Sequence, residues 1–164
     1  MPCLTNTDTA LDEGGAFLTL QDIMTGNTQQ LIDIGVLVLR CFIGPCFVVH
    51  GLGKLGIVGP GSMEGFTGWL KSLGFPAPAF QARMAMLTEI IGGALLTFGL
   101  LTRPVCLLLF GTMMVAALFG HKGGGYLVTN DPPGNEYPLN LAAICIVFII
   151  IGPGAYSLDA VIFG

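Results

Sequence analysis

Leu31 to His50 reads LIDIGVLVLRCFIGPCFVVH. This run is apolar for roughly 20 residues, enough to cross a hydrocarbon core of about 30 Å at a rise of about 1.5 Å per residue. Only Asp33 near its start and Arg40 at its middle interrupt it. Three further apolar runs follow, at about Phe80–Leu101, Pro104–Gly120 and Glu136–Ile151. Glu89 lies inside the second, and Gly152-Pro153-Gly154 closes the last. The pattern predicts an all-α, polytopic membrane four-helix bundle, with both termini on one side. The third and fourth runs are short for full spans, so they require an extra turn from their flanks or a thin bilayer.

Composition agrees. Of 164 residues, 53% are hydrophobic and 10% charged, against about 25% charged in soluble domains. So few charges cannot coat a water-facing surface, whereas hydrocarbon solvates an apolar one. The net charge of −4 and the lack of Lys/Arg clusters argue against nucleic-acid binding, which needs clustered cations at the phosphates. The five cysteines form no C-x-x-C pair, and Cys41, Cys46, Cys106 and Cys145 sit in apolar runs, where they read as small fillers rather than metal ligands. Residues 1–30 are polar and acidic without Lys or Arg, unlike a secretory or mitochondrial leader. They form an N-terminal segment apart from the helical domain at 31–164.

The loop after the first run carries a signal of its own. Phe66, Trp69, Leu70 and Leu73 recur at helical spacing, which predicts a short amphipathic helix at the membrane interface. Lys54, Lys71 and Lys122 lie on the side of the first and third loops and Arg103 on the other, so the positive-inside rule favours a cytoplasmic first loop.

Charges inside spans are costly, about 2.5–3.5 kcal/mol each at mid-bilayer, and mark interior positions with partners. Asp33, Arg40, Gly44, Gly51 and Lys54 fall on one stripe of the first helix, and Ala82, Ala85, Glu89 and Gly93 on one stripe of the second. Small residues let such stripes approach closely. Counted from the edges of the first loop, Arg40 and Glu89 lie at similar depth, about 14–15 Å in, which predicts an Arg40–Glu89 pair. That pair would either fix helix register or serve a ligand or proton. His50, Lys54, His121 and Glu136 gather at helix ends on the first-loop side and would frame the mouth of a pocket over it. The candidate site is thus Arg40, His50, Lys54, Glu89, His121 and Glu136, with no metal-ligand spacing.

These residues resemble a known family. Arg40…Gly44…His50-Gly51-x-x-Lys54-Leu55, Glu89-Ile90-Ile91-Gly92-Gly93 with Leu100-Leu101-Thr102-Arg103, Glu136-Tyr137-Pro138-Leu139 and Gly152-Pro153-Gly154-Ala155-Tyr156-Ser157-Leu158-Asp159 are similar, in order, to the signatures of DoxX/DoxD-like membrane proteins. The resemblance covers about residues 31–162. It implies a four-helix membrane fold and a quinone-linked or redox-associated role, since DoxD-type relatives form the membrane subunit of a thiosulfate:quinone oxidoreductase. It supplies no established set of catalytic residues. No haem, flavin or iron–sulfur signature is present, so a bound quinone is the cofactor expected, with electrons coming from a membrane or peripheral protein partner or directly from substrate. The alternatives are a non-catalytic assembly subunit of a larger membrane complex and, below it, a small-molecule carrier, for which inverted repeats and broken helices are not evident.

Overall fold

A computed structural model describes residues 28–164, so nearly all of the acidic N-terminal segment lies outside the described residues. Among these residues every regular element is helical: α1 Thr28–Lys54, α2 Met63–Ser72, α3 Pro78–Phe98, α4 Thr102–Val115 continued by a π-helical turn Ala116–Gly120, α5 Glu136–Ile151 and α6 Leu158–Phe163. The long helices α1, α3, α4 and α5 form an antiparallel bundle in which α1 packs on α3, α3 on α4 and α4 on α5. Two of them are apolar and long enough to cross a membrane by length and composition: Thr28–Lys54, with mean hydropathy 2.1, and Thr102–Gly120, with 1.8.

Local chemistry explains the boundaries. Ser62 caps α2 by accepting from the Gly65 amide at 3.0 Å, and Glu64 and Lys71 sit at the ends of α2 where the helix dipole favours them. Pro78 opens α3, where its missing amide costs nothing. Gly99 ends α3 at φ 67, a left-handed conformation that glycine adopts without strain. α4 has no cap of its own; the Asp159 carboxylate accepts from the Leu101 and Thr102 amides at 2.7 and 2.9 Å instead. The C-terminal segment therefore clamps the α3–α4 turn. The expected amphipathic helix is α2.

The surface is inverted relative to a soluble protein. Outward positions such as Phe42, Leu108 and Ile150 are 74%, 63% and 71% exposed, while Arg40 and Glu89 are 1% and 2% exposed. An exterior of this kind is matched by hydrocarbon rather than water.

The two small-residue stripes do face each other, and they set the register. A Cβ added at Gly44 would lie 2.6 Å from the Gly93 carbonyl oxygen, and one at Gly93 would lie 2.6 Å from that of Gly44. A Cβ at Gly51 would lie 3.1 Å from the Met86 carbonyl oxygen. This register overturns the Arg40–Glu89 pair. Arg40 is placed level with Gly99, and Glu89 level with the segment around His50, so the two charges are offset by roughly ten residues, about 15 Å along the bundle. The two helices do not end level at the first loop: in this register Lys54 lies level with about residue 85, so α3, which starts at Pro78, overhangs the end of α1 by roughly seven residues, about 10 Å.

Candidate functional site

Each displaced charge has its own partners. At the end of the bundle where α1 begins, the Arg40 guanidinium donates to the Tyr156 carbonyl, and Asp33 accepts from the Ala155 amide at 3.0 Å. Gly99 leaves the space that Arg40 fills, since a Cβ there would overlap the guanidinium. Arg40 thus holds the C-terminal segment through one of its nitrogens, with Nε and Nη1 buried and without a hydrogen-bond partner among the described residues. It does not line the α2-roofed cavity at the other end of the bundle.

At the opposite end Lys54 donates to Glu89 in an ion pair. Lys54 belongs to the last turn of α1, and Glu89 lies midway along α3 on its buried stripe. The ion pair stands at the wall of a cavity of about 320 Å³ between α3 and α4, roofed by α2. The roof is aromatic. Phe66 and Trp69 stack with ring centres 5.7 Å apart, and the Lys54 ammonium lies 5.2 Å from the Phe66 ring centre, a cation–π contact. Phe75 meets Phe119 edge-on at 5.2 Å and closes a corner. Gly120, the last residue of the π turn, lets the indole approach, since a Cβ there would lie 2.9 Å from the Trp69 ring. Such π insertions recur at functional sites.

The floor mixes polar and small groups: Gln81, Thr88 and Glu89 of α3 with Gly111 and Thr112 of α4. On one flank Met84, Val115 and Phe119 line the cavity and are also 43–47% exposed on the outer surface. The cavity therefore opens sideways, through the apolar face of the bundle between α3 and α4.

The other expected site residues lie apart from this cavity. Lys54 also borders a surface groove on the far side of the α1 end, shared with His50, Gly61 and Ser62. His50 Nε2 lies 2.5 Å from the Tyr137 hydroxyl. His121 Nδ1 lies 3.0 Å from the Pro133 carbonyl oxygen, and the Glu136 carboxylate accepts from the Val128 amide at 3.1 Å. These two hold the 121–135 loop in place. Of six expected residues, then, Lys54 and Glu89 meet at a cavity, His50 flanks them, and Arg40, His121 and Glu136 contact backbone groups elsewhere. The hydroxyls of Thr88 and Thr112 and the backbone gap at Gly120 escaped sequence reasoning, because nothing marks them before the helices are packed. Among the described residues, no three His, Cys, Asp or Glu side chains are grouped to hold a metal.

A helical bundle with an apolar exterior, buried charges and a side-opening cavity defines an integral membrane protein. Residues 35–122 match the DoxX family, and the chain belongs to it. It is 29% identical over 134 residues to the inner membrane protein YqjF of Escherichia coli, covering 80% of this chain and 94% of that protein. It is 29% identical over 147 residues to the inner membrane protein YphA of the same organism, covering 81% and 98%. It is 40% identical over 135 residues to CatD of Bacillus subtilis, which carries the provisional name of an oxidoreductase, covering 82% and 92%. No solved structure matches it.

Proposed function

We propose that this DoxX protein spans the membrane with α1, α3, α4 and α5 and binds a quinone headgroup in the α2-roofed cavity, as a redox-associated membrane subunit. The observation that carries the reading is the lateral cavity with an ion pair at its wall. A ligand dissolved in the bilayer has direct access to it between α3 and α4, and an apolar tail can remain in lipid.

The residues present fit such a group. Phe66 and Trp69 offer a flat aromatic wall, and Lys54 offers an ammonium donor to a carbonyl oxygen. Glu89 orients Lys54 and can hold a proton beside the cavity. α2 screens the cavity from the aqueous side, which strengthens these interactions by lowering the local dielectric. A bound quinone would supply the acceptor for two electrons and two protons. The electrons would come from a partner or a reduced substrate, because the chain has no redox centre signature of its own. The oxidoreductase name carried by CatD is in keeping with this reading.

The protein carries its own reporter. Trp69, its one tryptophan, lines the cavity, and quinones quench indole fluorescence on contact. Titration with a water-soluble quinone should quench Trp69 saturably, and Lys54→Met should weaken binding at least tenfold. Lipid extracts of the protein purified from its own membrane should contain quinone. Non-saturable quenching together with quinone-free extracts would overturn the proposal and favour an assembly role.

A further inference from the structure

A second group of reactive side chains lies outside the cavity. The Tyr137 hydroxyl, from the first turn of α5, bridges two residues of α1: it lies 2.8 Å from Cys46 Sγ and 2.5 Å from His50 Nε2. Cys46 and His50 are one turn apart on α1 and so share a face. The Tyr137 and His50 rings are 5.0 Å apart, tilted by 46°. Phe42 and Val49 flank this strip and are 74% and 48% exposed on the apolar outer surface. The three groups thus form a continuous chain at the bilayer-facing surface, within two turns of the end of α1.

The chain has two hydrogen-bond polarities on the same heavy atoms. In one, the thiol donates to Tyr137 and Tyr137 donates to the imidazole. In the other, the imidazolium donates to Tyr137 and Tyr137 donates to a thiolate. They differ only by the shift of two protons, and the second is an activated nucleophile. Two things oppose an imidazolium here: first the partial burial of the His50 ring at the bilayer-facing surface, then the charge of Lys54 one turn beyond, which Glu89 offsets. The thiolate formed in the same chain is the anion that would balance it.

We propose that Cys46, Tyr137 and His50 form a thiol-activation relay that reduces a hydroperoxide. A relay that both removes a proton and returns it suits an electrophile whose leaving oxygen needs that proton, which describes a peroxide better than a disulfide or an alkylating agent. The Cys46 sulfur attacks the terminal peroxide oxygen, an S–O bond forms and the O–O bond breaks. Sulfur loses two electrons and becomes a sulfenic acid. The departing oxygen takes the proton stored on His50, passed back through Tyr137, and leaves as water or an alcohol. The relay does not depend on quinone binding in the cavity.

The test uses the full chain in lipid nanodiscs, with a dimedone-type trap for sulfenic acid and mass spectrometry resolving each cysteine. One arm adds hydrogen peroxide to the buffer, and the other places a fatty-acid hydroperoxide in the bilayer. Cys46 should be trapped at least tenfold faster than Cys41, a more exposed thiol on the same helix, in one arm or both, and the faster arm identifies the source of the peroxide. Tyr137→Phe and His50→Gln should each slow Cys46 tenfold and leave Cys41 unchanged. His50→Gln is a surface substitution, so it keeps the test valid if Tyr137→Phe fails to fold. Equal rates at Cys46 and Cys41 in both arms, or a Cys46 rate indifferent to His50→Gln, would overturn the proposal.

Discussion

The bundle buries charge at both ends, and the two ends use it differently. At the end where α1 begins, Asp33, Arg40 and Asp159 all engage backbone groups, of Ala155, of Tyr156, and of Leu101 and Thr102. Arg40 fills its space so fully that Gly99 must lack a side chain. At the end where α1 finishes, the charges of Lys54 and Glu89 meet each other, beside about 320 Å³ of open cavity. A buried charge committed to backbone fixes a chain segment, whereas one that borders free volume can still meet a ligand. Burial alone does not separate the two, since Arg40 and Glu89 are equally hidden. The unoccupied space beside the group does.

The largest expected effect tests the closed end. Arg40→Met removes the donor to the Tyr156 carbonyl and the buried side chain that fills the space beside Gly99, so the C-terminal segment loses its hold on the bundle. Thermal unfolding in detergent should report a loss of about 3 kcal/mol. Saturable quenching of Trp69 by quinone should persist in whatever fraction remains folded. An Arg40→Met protein that melts like the parent but no longer binds quinone would reverse the assignment of the two ends.

A smaller effect is expected at the open end. Lys54→Met should cost about 1 kcal/mol, because the Lys54 side chain is 21% exposed and its ion pair is partly screened, and because an unpaired Glu89 can take up a proton. Adding Glu89→Leu should restore most of that loss, since replacing both partners with apolar groups leaves no unmatched charge. Paired melting curves of the single and double variants check this. A loss at Lys54 as large as that at Arg40 would make the ion pair a second hold of the same kind.

How much of this was legible in the sequence follows from what each feature depends on. The apolar runs were readable because a bilayer imposes their length, and α5 begins and ends where its run does. The polar stripe of α1 was readable from the turn of the helix alone, and Asp33, Arg40, Gly44 and Gly51 are indeed its buried side. The register between stripes was not, because counting from loop edges assumes that the two helices end level, whereas α3 starts about two turns beyond the end of α1. What sets the register is the mutual approach of Gly44 and Gly93, which emerges only when two helices are laid together. The cavity was half readable. The Trp69 face of α2 was visible as a period, but the space beneath it is bounded by three helices and shaped by a π turn. The clamp of Asp159 on α4 joins residues far apart in the chain and leaves no local trace.

The smallest effect, and the one opposite in sign, concerns Thr102 at the closed end. Thr102 is fully buried, and among the described residues its hydroxyl has no hydrogen-bond partner, although its amide is held by Asp159. A hydroxyl removed from water without a partner opposes folding, and replacing it with a methyl group of similar shape removes that cost. Thr102→Val should therefore raise stability by up to about 1 kcal/mol in detergent melting, with the Asp159 cap intact because it uses only the backbone amide. A β-branched valine also keeps the restricted side-chain rotamers of threonine, so little conformational entropy changes. If Thr102→Val instead destabilises the protein by more than about 1 kcal/mol, the hydroxyl has a polar role in the working molecule, and the closed end resembles the open end more than its packing implies.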